Sequence, residues 1–351
     1  MKFRTYKNTD LTVSEVGFGL WTISTGWWGN FTDGEAIDLM HKAFDLGMTL
    51  FDAADTYGNG RSEELLAKAF PTNRNQITIA TKIGYDFVTH GESRGRGQRE
   101  IPQDFSPAAL VRATDAALKR LKTDRIDLMQ LHNIRMEQVD DDAIWRTLEQ
   151  LKKEGKIRYY GIALGPAIGW LYEGVNCIRA REITSVQHIY NMLEQHPGRA
   201  MQDAATDAGR DTMFLVRVTH SSGMLEGHYT PETVFPPNDH RSHRPRSWLL
   251  NGVKKVERLR FLENTERTLG QAALQWLLAD ERIASTLPNI YNQEQLIEFA
   301  RAPETPRLTT DEMEKIAGLY ADNFGVEGEE PKFKGTMEPV ERASRAPAAA
   351  V

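Results

Sequence analysis

The sequence predicts an α/β protein whose strands and helices close into a (β/α)8 barrel, with extra loops and helices at the C-terminal face. Short apolar segments rich in β-branched residues alternate along the chain with longer segments that have helical periodicity. Such alternation is typical of parallel βαβ units, and about eight units can be counted, the number found in this barrel. The rival architecture, an open doubly wound sheet, normally carries a GxGxxG phosphate turn, and the sequence contains none.

The alternating segments can be followed in order. The predicted strands are VSEVGFGLW, MTLFDAA, ITIATKIG, RIDLMQLH, IRYYGIAL, SVQHIYN, TMFLVRV and RIASTLP. The clearest predicted helices are EAIDLMHKAFDLG, SEELLAKAF, PAALVRATDAALKRL, DAIWRTLEQLKKEGK, GQAALQWLLAD and NQEQLIEFARA. Ser106 before Pro107 predicts the N-terminus of a helix, and Gly47 and Gly155 predict helix C-termini.

Three inserted segments interrupt the repeat, and each follows a predicted strand. They span residues 24–31, 84–105 and 221–247. Loops that follow barrel strands usually build the active site, so we expect these segments to surround it. We predict that residues 1–324 form one barrel domain and that residues 325–351, which are polar and rich in Ala and Pro, form a flexible tail.

Composition excludes several classes of protein. The 351 residues include 40% hydrophobic and 26% charged residues, as expected for a globular chain. A net charge of -6 argues against a nucleic-acid partner, which would need a basic face. Cys177 is the only cysteine, so neither an internal disulfide nor a thiolate metal cluster can form, which fits a cytoplasmic location. No apolar run approaches the ~18 residues that cross a membrane, so we expect no membrane partner.

Candidate catalytic residues end three successive strands. Asp52, Lys82 and His132 close the predicted strands MTLFDAA, ITIATK and RIDLMQLH, and Tyr57 follows Asp52 in the next loop. Side chains at the C-terminal ends of barrel strands converge on the axial mouth. A buried lysine and aspartate should pair there, because either charge alone would be costly to desolvate. An ammonium beside a tyrosine favours the ionised phenol, which can then exchange a proton near neutral pH.

Each of these four residues also has a plain structural explanation, such as a loop cap or a packed aromatic. Their convergence on adjacent strand ends favours a catalytic group instead. The motifs FDAADTYGNGRSEELLAKAF, IATKIG, IDLMQLHN, LKKEGKIRYYGIA and VQHIYN, in this order, resemble those of the aldo-keto reductase family over roughly residues 13–320. The family is a (β/α)8 barrel that interconverts a carbonyl and an alcohol with NAD(H) or NADP(H), bound without a Rossmann turn.

The resemblance implies a role for each catalytic candidate. Tyr57 would be the proton donor, Lys82 the cation that favours its ionised form, Asp52 the partner of Lys82, and His132 the residue that orients the substrate. The substrate would be a small aldehyde, ketone or sugar-like carbonyl. The sequence predicts neither the individual substrate nor the oligomeric state.

The cofactor positions of the family match this sequence less evenly. Gln187 matches the glutamine that binds the carboxamide, and the loop that holds Ser221, Ser222, Gly223 and Leu225 resembles the pyrophosphate loop. The family's Ser-Asn pair reads Ala163-Leu164 here, and the usual nicotinamide-stacking aromatic is replaced by Arg217. A planar guanidinium can still stack on the ring.

The segment LPNIYNQEQLIEF matches the adenosine-binding segment of the family. Its matching positions are Asn289, Ile290, Tyr291, Gln295 and Phe299. The segment has no cation for an adenosine 2′-phosphate; Glu294 and Glu298 add negative charge instead, and Glu298 is a further candidate cofactor-binding residue. We therefore expect NAD(H) to be slightly favoured, with Tyr291 or Phe299 beside the adenine. The competing hypothesis is that an arginine of the preceding loop supplies the charge; the candidates are Arg241, Arg244 and Arg246.

Other features carry weaker predictions. Trp21, Trp27 and Trp28 in and before the first inserted segment are candidates for a substrate-pocket wall. The histidines and arginines of residues 240–246 fit a solvated basic loop better than a metal site, and we predict no metal. Two other functions stay open: an aldolase with Lys82 as Schiff base, and a cofactor-binding regulatory subunit with little turnover.

Overall fold

The computed structural model describes residues 1–91, 101–165, 171–237 and 239–327. The strands are β1 Phe3–Thr5, β2 Thr12–Ser14, β3 Phe18–Gly19, β4 Leu50–Asp52, β5 Thr78–Ile83, β6 Ile126–His132, β7 Ile157–Ala163, β8 Ser185–Ile189, β9 Met213–Arg217 and β10 Ile283–Leu287. The helices are α1 Trp21–Ser24, α2 Asp33–Asp45, α3 Arg61–Ala69, α4 Phe87–His90, α5 Pro107–Leu121, α6 Met136–Asp140, α7 Asp142–Lys153, α8 Leu171–Ala180, α9 Gly198–Asp207, α10 Arg246–Glu257, α11 Leu269–Leu278, α12 Gln293–Arg301 and α13 Thr310–Ala321. Short 3₁₀ helices span Arg74–Gln76, Met224–Glu226, His240–His243, Arg260–Leu262, Ala302–Glu304 and Asn323–Gly325.

Strands β3 to β10 form one eight-stranded sheet in sequence order, and every neighbouring pair is parallel. The first and last parts of the sheet meet at a parallel bridge between Val16 and Thr286. Two backbone hydrogen bonds of 2.9 Å, from Gly17 N to Thr286 O and from Thr286 N to Glu15 O, join them. The predicted (β/α)8 barrel is confirmed.

The N-terminal segment differs from the prediction. We expected VSEVGFGLW to form one strand, but it divides into β2 and β3, and Trp21 begins α1. The reason is that β2 pairs antiparallel with β1 while β3 pairs parallel with β4, so the chain must turn between the two sheets. The β1–β2 hairpin itself was not predicted, although Asn8, with a φ of 53°, lies in a polar turn typical of hairpins.

The hairpin covers the N-terminal end of the barrel. Tyr6 and Leu11 are buried there against inward-facing residues such as Leu128 and Leu215. The Tyr6 hydroxyl lies 3.2 Å from Oγ of Ser185, at the start of β8. Because this end is filled with packed side chains, a ligand can enter the barrel only from its C-terminal face.

The predicted helix ends are confirmed. Oγ of Ser106 accepts a hydrogen bond from the N–H of Ala109, and Pro107 is the first residue of α5. Gly47 and Gly155 have φ angles of 88° and 76°, the left-handed conformation that ends a helix.

Extra elements lie in the loops after the strands, as expected. Helix α1 follows β3, α4 follows β5, and two 3₁₀ helices and α10 follow β9. Residues 92–100 of the second inserted segment and residues 328–351 of the predicted tail lie outside the described residues. The division into a barrel domain and a tail stays a prediction. Within the described ranges, no helix is both long and apolar enough to cross a membrane.

Candidate active site

Three neighbouring strands bring the predicted catalytic residues together. Asp52 ends β4, Lys82 lies one residue before the end of β5, and His132 ends β6. Nζ of Lys82 donates to Oδ1 of Asp52 at 2.5 Å and to the carbonyl of Ala53 at 2.8 Å. Lys82 is only 1% exposed, so its ammonium depends on these partners rather than on water.

The Asp52 carboxylate is held by amides as well as by Lys82. Its Oδ2 accepts hydrogen bonds from Nε2 of Gln187 at 2.8 Å and from Nε2 of Gln130 at 3.2 Å. Burial by itself lowers the pKa of Lys82, but the attraction of Asp52 and of Tyr57 outweighs burial, so the pKa of Lys82 lies above its ordinary value. Lys82 is therefore an ammonium at neutral pH.

Tyr57 and His132 face each other across the mouth of the barrel. Nζ of Lys82 lies 4.8 Å from the centre of the Tyr57 ring. The rings of Tyr57 and His132 meet edge to face with centres 6.3 Å apart. The structure thus brings all four predicted catalytic residues into one group, with a cation beneath the phenol.

The loop that carries Tyr57 is shaped by glycine. Gly58 has a φ of 63°, and a Cβ placed on it would lie 2.5 Å from the backbone carbonyl oxygen of Ser24. Only glycine meets both conditions, because other residues are strained at this φ and the nearest obstacle is backbone. The close approach sets the loop against the last residue of α1 and so positions Tyr57, which directly precedes Gly58.

Replacing Gly58 with alanine should lower the free energy of unfolding by about 1–3 kcal/mol and should also lower kcat, because backbone strain and the clash displace Tyr57. Chemical denaturation and steady-state kinetics would measure the two effects. The matched control is Gly155→Ala, since Gly155 also has a positive φ of 76° but open space around its Cβ. Equal stability losses and full activity in both variants would contradict this explanation.

A cavity of about 1040 Å³ opens above the catalytic group. Its size is at the upper end of the range typical of small-molecule sites. The predicted site residues that line it are Asp52, Tyr57, His132, Gln187, Arg217, Ser221, Ser222, Asn289, Trp21, Trp27 and Trp28. Lys82, Gly223, Leu225, Tyr291, Gln295 and Glu298 do not line it.

The three tryptophans form one wall of the cavity together with the loop after β9. The ring of His240 lies 5.1 Å from that of Trp21 and 5.8 Å from that of Trp27, and its backbone N–H donates to the carbonyl of Trp27 at 2.8 Å. Trp28 stacks on Tyr291 with ring centres 5.5 Å apart. The first and third inserted segments therefore meet over the cavity.

The loop after β9 has the properties of an anion site. Ser221, Ser222 and Gly223 have consecutive positive φ angles of 48°, 58° and 91°. Within the described ranges, the backbone N–H groups of Ser222 and Gly223 have no acceptor. Free amides in such a concave turn suit a phosphate bridge, so this loop fits the pyrophosphate of a dinucleotide. Leu225 is fully buried, and its N–H donates to His220.

The region predicted to bind the carboxamide combines two apolar residues with a cation. Ala163 and Leu164 present apolar groups to the cavity, beside Gln187. Nη2 of Arg217 donates to the carbonyl of Leu164 at 2.6 Å and also to that of Gly165. The guanidinium therefore covers the end of β7.

The predicted adenosine segment lies partly outside the cavity. Nε2 of Gln295 donates to Oε2 of Glu226 at 2.8 Å, and burial, with a smaller effect of Glu298, raises the pKa of Glu226 to about 7. Oε1 of Glu298 accepts from the Thr268 hydroxyl at 2.5 Å. Our expectation that Phe299 could lie beside the adenine is wrong, because Phe299 is fully buried.

Phe299 is instead a packing residue: its ring stacks on that of His220 with centres 4.4 Å apart. Tyr291 is the aromatic of this segment that remains near the cavity, since it stacks on Trp28, which lines it.

The three arginines of the preceding loop have different partners. Nε and Nη2 of Arg241 bind the Asp239 carboxylate at 2.8 and 2.6 Å, and Arg246 donates to backbone carbonyls. Arg244 lines the cavity with Nη2 at 3.5 Å from Oγ of Ser222, and within the described ranges it has no carboxylate partner. Of the three, Arg244 is the one that can reach an anion. No group of His, Cys, Asp or Glu that could hold a metal is found in the part of the chain that the structure describes.

Some site residues were missed from the sequence. Tyr85 and Asn133 line the cavity, and Nδ2 of Asn133 donates to the Tyr85 hydroxyl at 2.6 Å. Gln130 stands two residues before His132 in β6 and binds Asp52. The alternation of side chains along a strand could have identified Gln130, because residues two apart face the same side.

Comparison with known proteins shows the family to which the chain belongs. The sequence profile of the Aldo/keto reductase family matches residues 15–321. An NADH-specific methylglyoxal reductase of Escherichia coli strain K12 is 28% identical over 306 residues, 84% of this chain and 91% of the relative. An aldo-keto reductase of Schizosaccharomyces pombe whose name specifies NADP(+) is 28% identical over 292 residues, 80% of each chain.

The likeness extends to solved structures. The holo form of the aldo-keto reductase AKR11C1 from Bacillus halodurans is similar with a TM-score of 0.71 and 27% identity, over 97% of this chain and 99% of that one. The profile match covers nearly the whole barrel. The chain is a member of the aldo/keto reductase family of oxidoreductases.

Proposed function

We propose that the chain reduces the carbonyl group of a small molecule to an alcohol, with Tyr57 as the proton donor and a nicotinamide dinucleotide as the hydride source. The observation that carries this proposal is the buried Lys82–Asp52 pair, 2.5 Å long, placed beneath the Tyr57 ring at the mouth of the cavity. A cation fixed there stabilises the phenolate left after Tyr57 gives up its proton.

The other residues position the reactants. A nicotinamide dinucleotide, when bound, supplies a hydride to the carbonyl carbon. Tyr57 delivers a proton to the carbonyl oxygen, and His132, edge to face with Tyr57, is placed to hydrogen-bond and orient that oxygen. Gln187 would hold the carboxamide, and the free amides of Ser222 and Gly223 would hold the pyrophosphate.

The arrangement disfavours an aldolase. A Schiff-base lysine must be a neutral amine free of a carboxylate, and Lys82 is an ammonium bound to Asp52.

Turnover tests the proposed reductase activity directly. Oxidation of the reduced cofactor would be followed by absorbance with a panel of aldehydes, ketones and sugar-like carbonyls. We expect saturable, substrate-dependent oxidation. Cofactor binding without turnover on any carbonyl would contradict the proposal and favour a regulatory subunit.

Cofactor preference forms a separate proposal, since one relative is named for NADH and another for NADP(+). We infer a preference for NAD(H), because residues 287–299 contain no cation and include two acidic residues, Glu294 and Glu298. A charge-assisted hydrogen bond from a cation to the 2′-phosphate would strengthen NADPH binding about tenfold or more. Without such a cation, NADPH does not have this advantage over NADH. We expect kcat/KM to be at least about tenfold higher with NADH.

The competing hypothesis, in which a loop arginine binds the 2′-phosphate, is tested by a separate variant. Arg244 lines the cavity beside Ser222 and could meet a 2′-phosphate. A kcat/KM higher for NADPH in the wild type, and a selective loss of NADPH affinity in Arg244→Gln, would refute the preference for NAD(H). Arg246→Gln is the matched control, because Arg246 is exposed and donates to the carbonyl of Thr233.

A further inference from the structure

Arg217 places a positive charge in the wall of the cavity. Arg217 is the last residue of β9 and pairs in register with Ile189 of β8. Ile189 lies two residues after Gln187 in β8, so both residues are on the same face of that strand. Its guanidinium is half-buried and is held by the carbonyls of Leu164 and Gly165. These partners are neutral, so they fix the position of the guanidinium without cancelling its charge.

Other charges at the mouth of the barrel do not neutralise Arg217. The carboxylates that line the cavity are Asp52 and Glu194. Asp52 is already paired with Lys82, and Glu194 accepts a hydrogen bond from Asn191 at 2.7 Å. Within the described ranges, neither carboxylate lies within 4 Å of Arg217. Burial lowers the pKa of Arg217 somewhat, but a guanidinium stays charged at neutral pH. Arg217 therefore forms no ion pair in the part of the chain that the structure describes, and its positive charge lies in the wall of the cavity.

We propose that Arg217 makes the cofactor site select the reduced dinucleotide over the oxidised one. This inference rests on the proposed function, in which the nicotinamide lies beside Gln187. The reduced nicotinamide ring is neutral, whereas the oxidised ring carries one positive charge. A fixed guanidinium beside the ring repels only the oxidised form, so it weakens binding of NAD⁺ relative to NADH.

Arginine in place of an aromatic residue turns an attraction for the oxidised nicotinamide ring into a repulsion. An aromatic ring has a negative face that attracts a cation, so the aromatic usual at this position in the family would favour the oxidised ring. Arg217 presents a flat surface of similar shape, but its charge opposes that ring. Because Leu164 and Gly165 hold the guanidinium by their carbonyls, it cannot easily swing away when the oxidised cofactor binds. The site thus favours carbonyl reduction, since it releases the oxidised product readily.

The size of the effect follows from the distance between the two charges. Two like unit charges about 4 Å apart in a partly hydrated site repel strongly enough to change a binding constant by roughly 10-fold to 100-fold after screening. The dissociation constant of NAD⁺ should therefore exceed that of NADH by at least about tenfold in the wild-type chain.

Equilibrium binding tests the proposal without turnover. Fluorescence titration or calorimetry would give the dissociation constants of NAD⁺ and NADH for the wild type, Arg217→Gln, Arg217→Tyr and Arg217→Lys. We expect the NAD⁺-to-NADH ratio of these constants to fall by about tenfold or more in the Gln and Tyr variants. The Lys variant should keep most of the ratio, because it keeps the charge.

The matched control is Arg244→Gln, which removes another cavity cation near the phosphate loop. Both forms of the cofactor carry the same phosphates, so this variant should weaken both equally and leave the ratio unchanged. A wild-type chain that binds NAD⁺ as tightly as NADH, or a ratio that does not change in folded Arg217→Gln, would overturn the proposal. Failure of the proposed function is distinct: the wild type would then bind neither form, or bind both without turnover.

Discussion

Replacing Tyr57 with phenylalanine is expected to lower the rate of carbonyl reduction by about 10² to 10⁴-fold, the usual effect of losing a positioned proton donor. The substitution removes only the hydroxyl. The ring keeps its place above Nζ of Lys82, at 4.8 Å, and edge to face with His132. The hydroxyl is the group that gives up the proton in the proposed reaction, so its loss should affect kcat and leave the dissociation constant of the cofactor nearly unchanged.

Single-turnover kinetics would measure this effect at the chemical step, and cofactor titration would confirm that the site is intact. The matched control is Tyr159→Phe, which removes a hydroxyl bonded to Asp10 at 2.6 Å, far from the catalytic group. That variant should retain wild-type turnover. If Tyr57→Phe kept most of its rate while chemistry limits turnover, Tyr57 would not be the proton donor.

Most of the catalytic group could be predicted from sequence because three of its four residues are fixed by regular elements. Asp52, Lys82 and His132 end or nearly end consecutive parallel strands, and the register of the barrel then requires them to meet. Recognising the strand ends was therefore sufficient to place the side chains. The motif resemblance added the chemical roles.

The cofactor positions could be predicted less completely, because they lie on loops and depend on packing. Phe299 aligns with a polar position of the family, yet in α12 it faces the core and stacks on His220. The partners of the loop arginines depend on where the chain turns: Arg241 binds Asp239, two residues away, while Arg244 faces the cavity. The three loop arginines were equal candidates in sequence, and only the three-dimensional path of the chain distinguishes them.

The N-terminal hairpin shows a different limit. The segment from Val13 to Trp21 has the length and composition of one strand, but its first two residues pair antiparallel with β1, while Phe18 and Gly19 pair parallel with β4. Local composition indicates extended backbone and contains no information on the partner of each half. Pairing is decided by closure of the barrel, through the bridge between Val16 and Thr286.

Replacing Lys82 with methionine is expected to lower the free energy of unfolding by about 3–5 kcal/mol and to remove most of the activity. Methionine has a similar length, so the packing volume is nearly kept. Asp52, however, is only 4% exposed and would be left with only the amides of Gln130 and Gln187 as partners. An uncompensated buried carboxylate is far costlier than the loss of the ion pair itself.

Denaturant unfolding with three further variants would separate charge from packing. Lys82→Met combined with Asp52→Asn removes both charges and should recover much of the lost stability, although not the activity. Lys68→Met breaks the exposed ion pair of Lys68 with Asp33, 2.6 Å long, and should cost no more than about 1 kcal/mol. Asp52→Asn alone would leave the ammonium of Lys82 without its counter-ion and should also destabilise the chain.

The stability that Lys82 contributes should depend on pH. The pKa of Lys82 is raised in the folded chain above its ordinary value of 10.5, mainly because the attraction of Asp52 and Tyr57 outweighs burial. A raised lysine pKa stabilises the folded state fully below the unfolded pKa and loses this effect as pH rises through the folded pKa. The stability advantage of the wild type over Lys82→Met should therefore persist through neutral pH and begin to shrink only above about pH 10.5. Equal unfolding free energies of the two proteins at pH 7 would show that the ammonium contributes nothing to the fold, and an unchanged pH profile of kcat in the Met variant would show that it does not act on Tyr57.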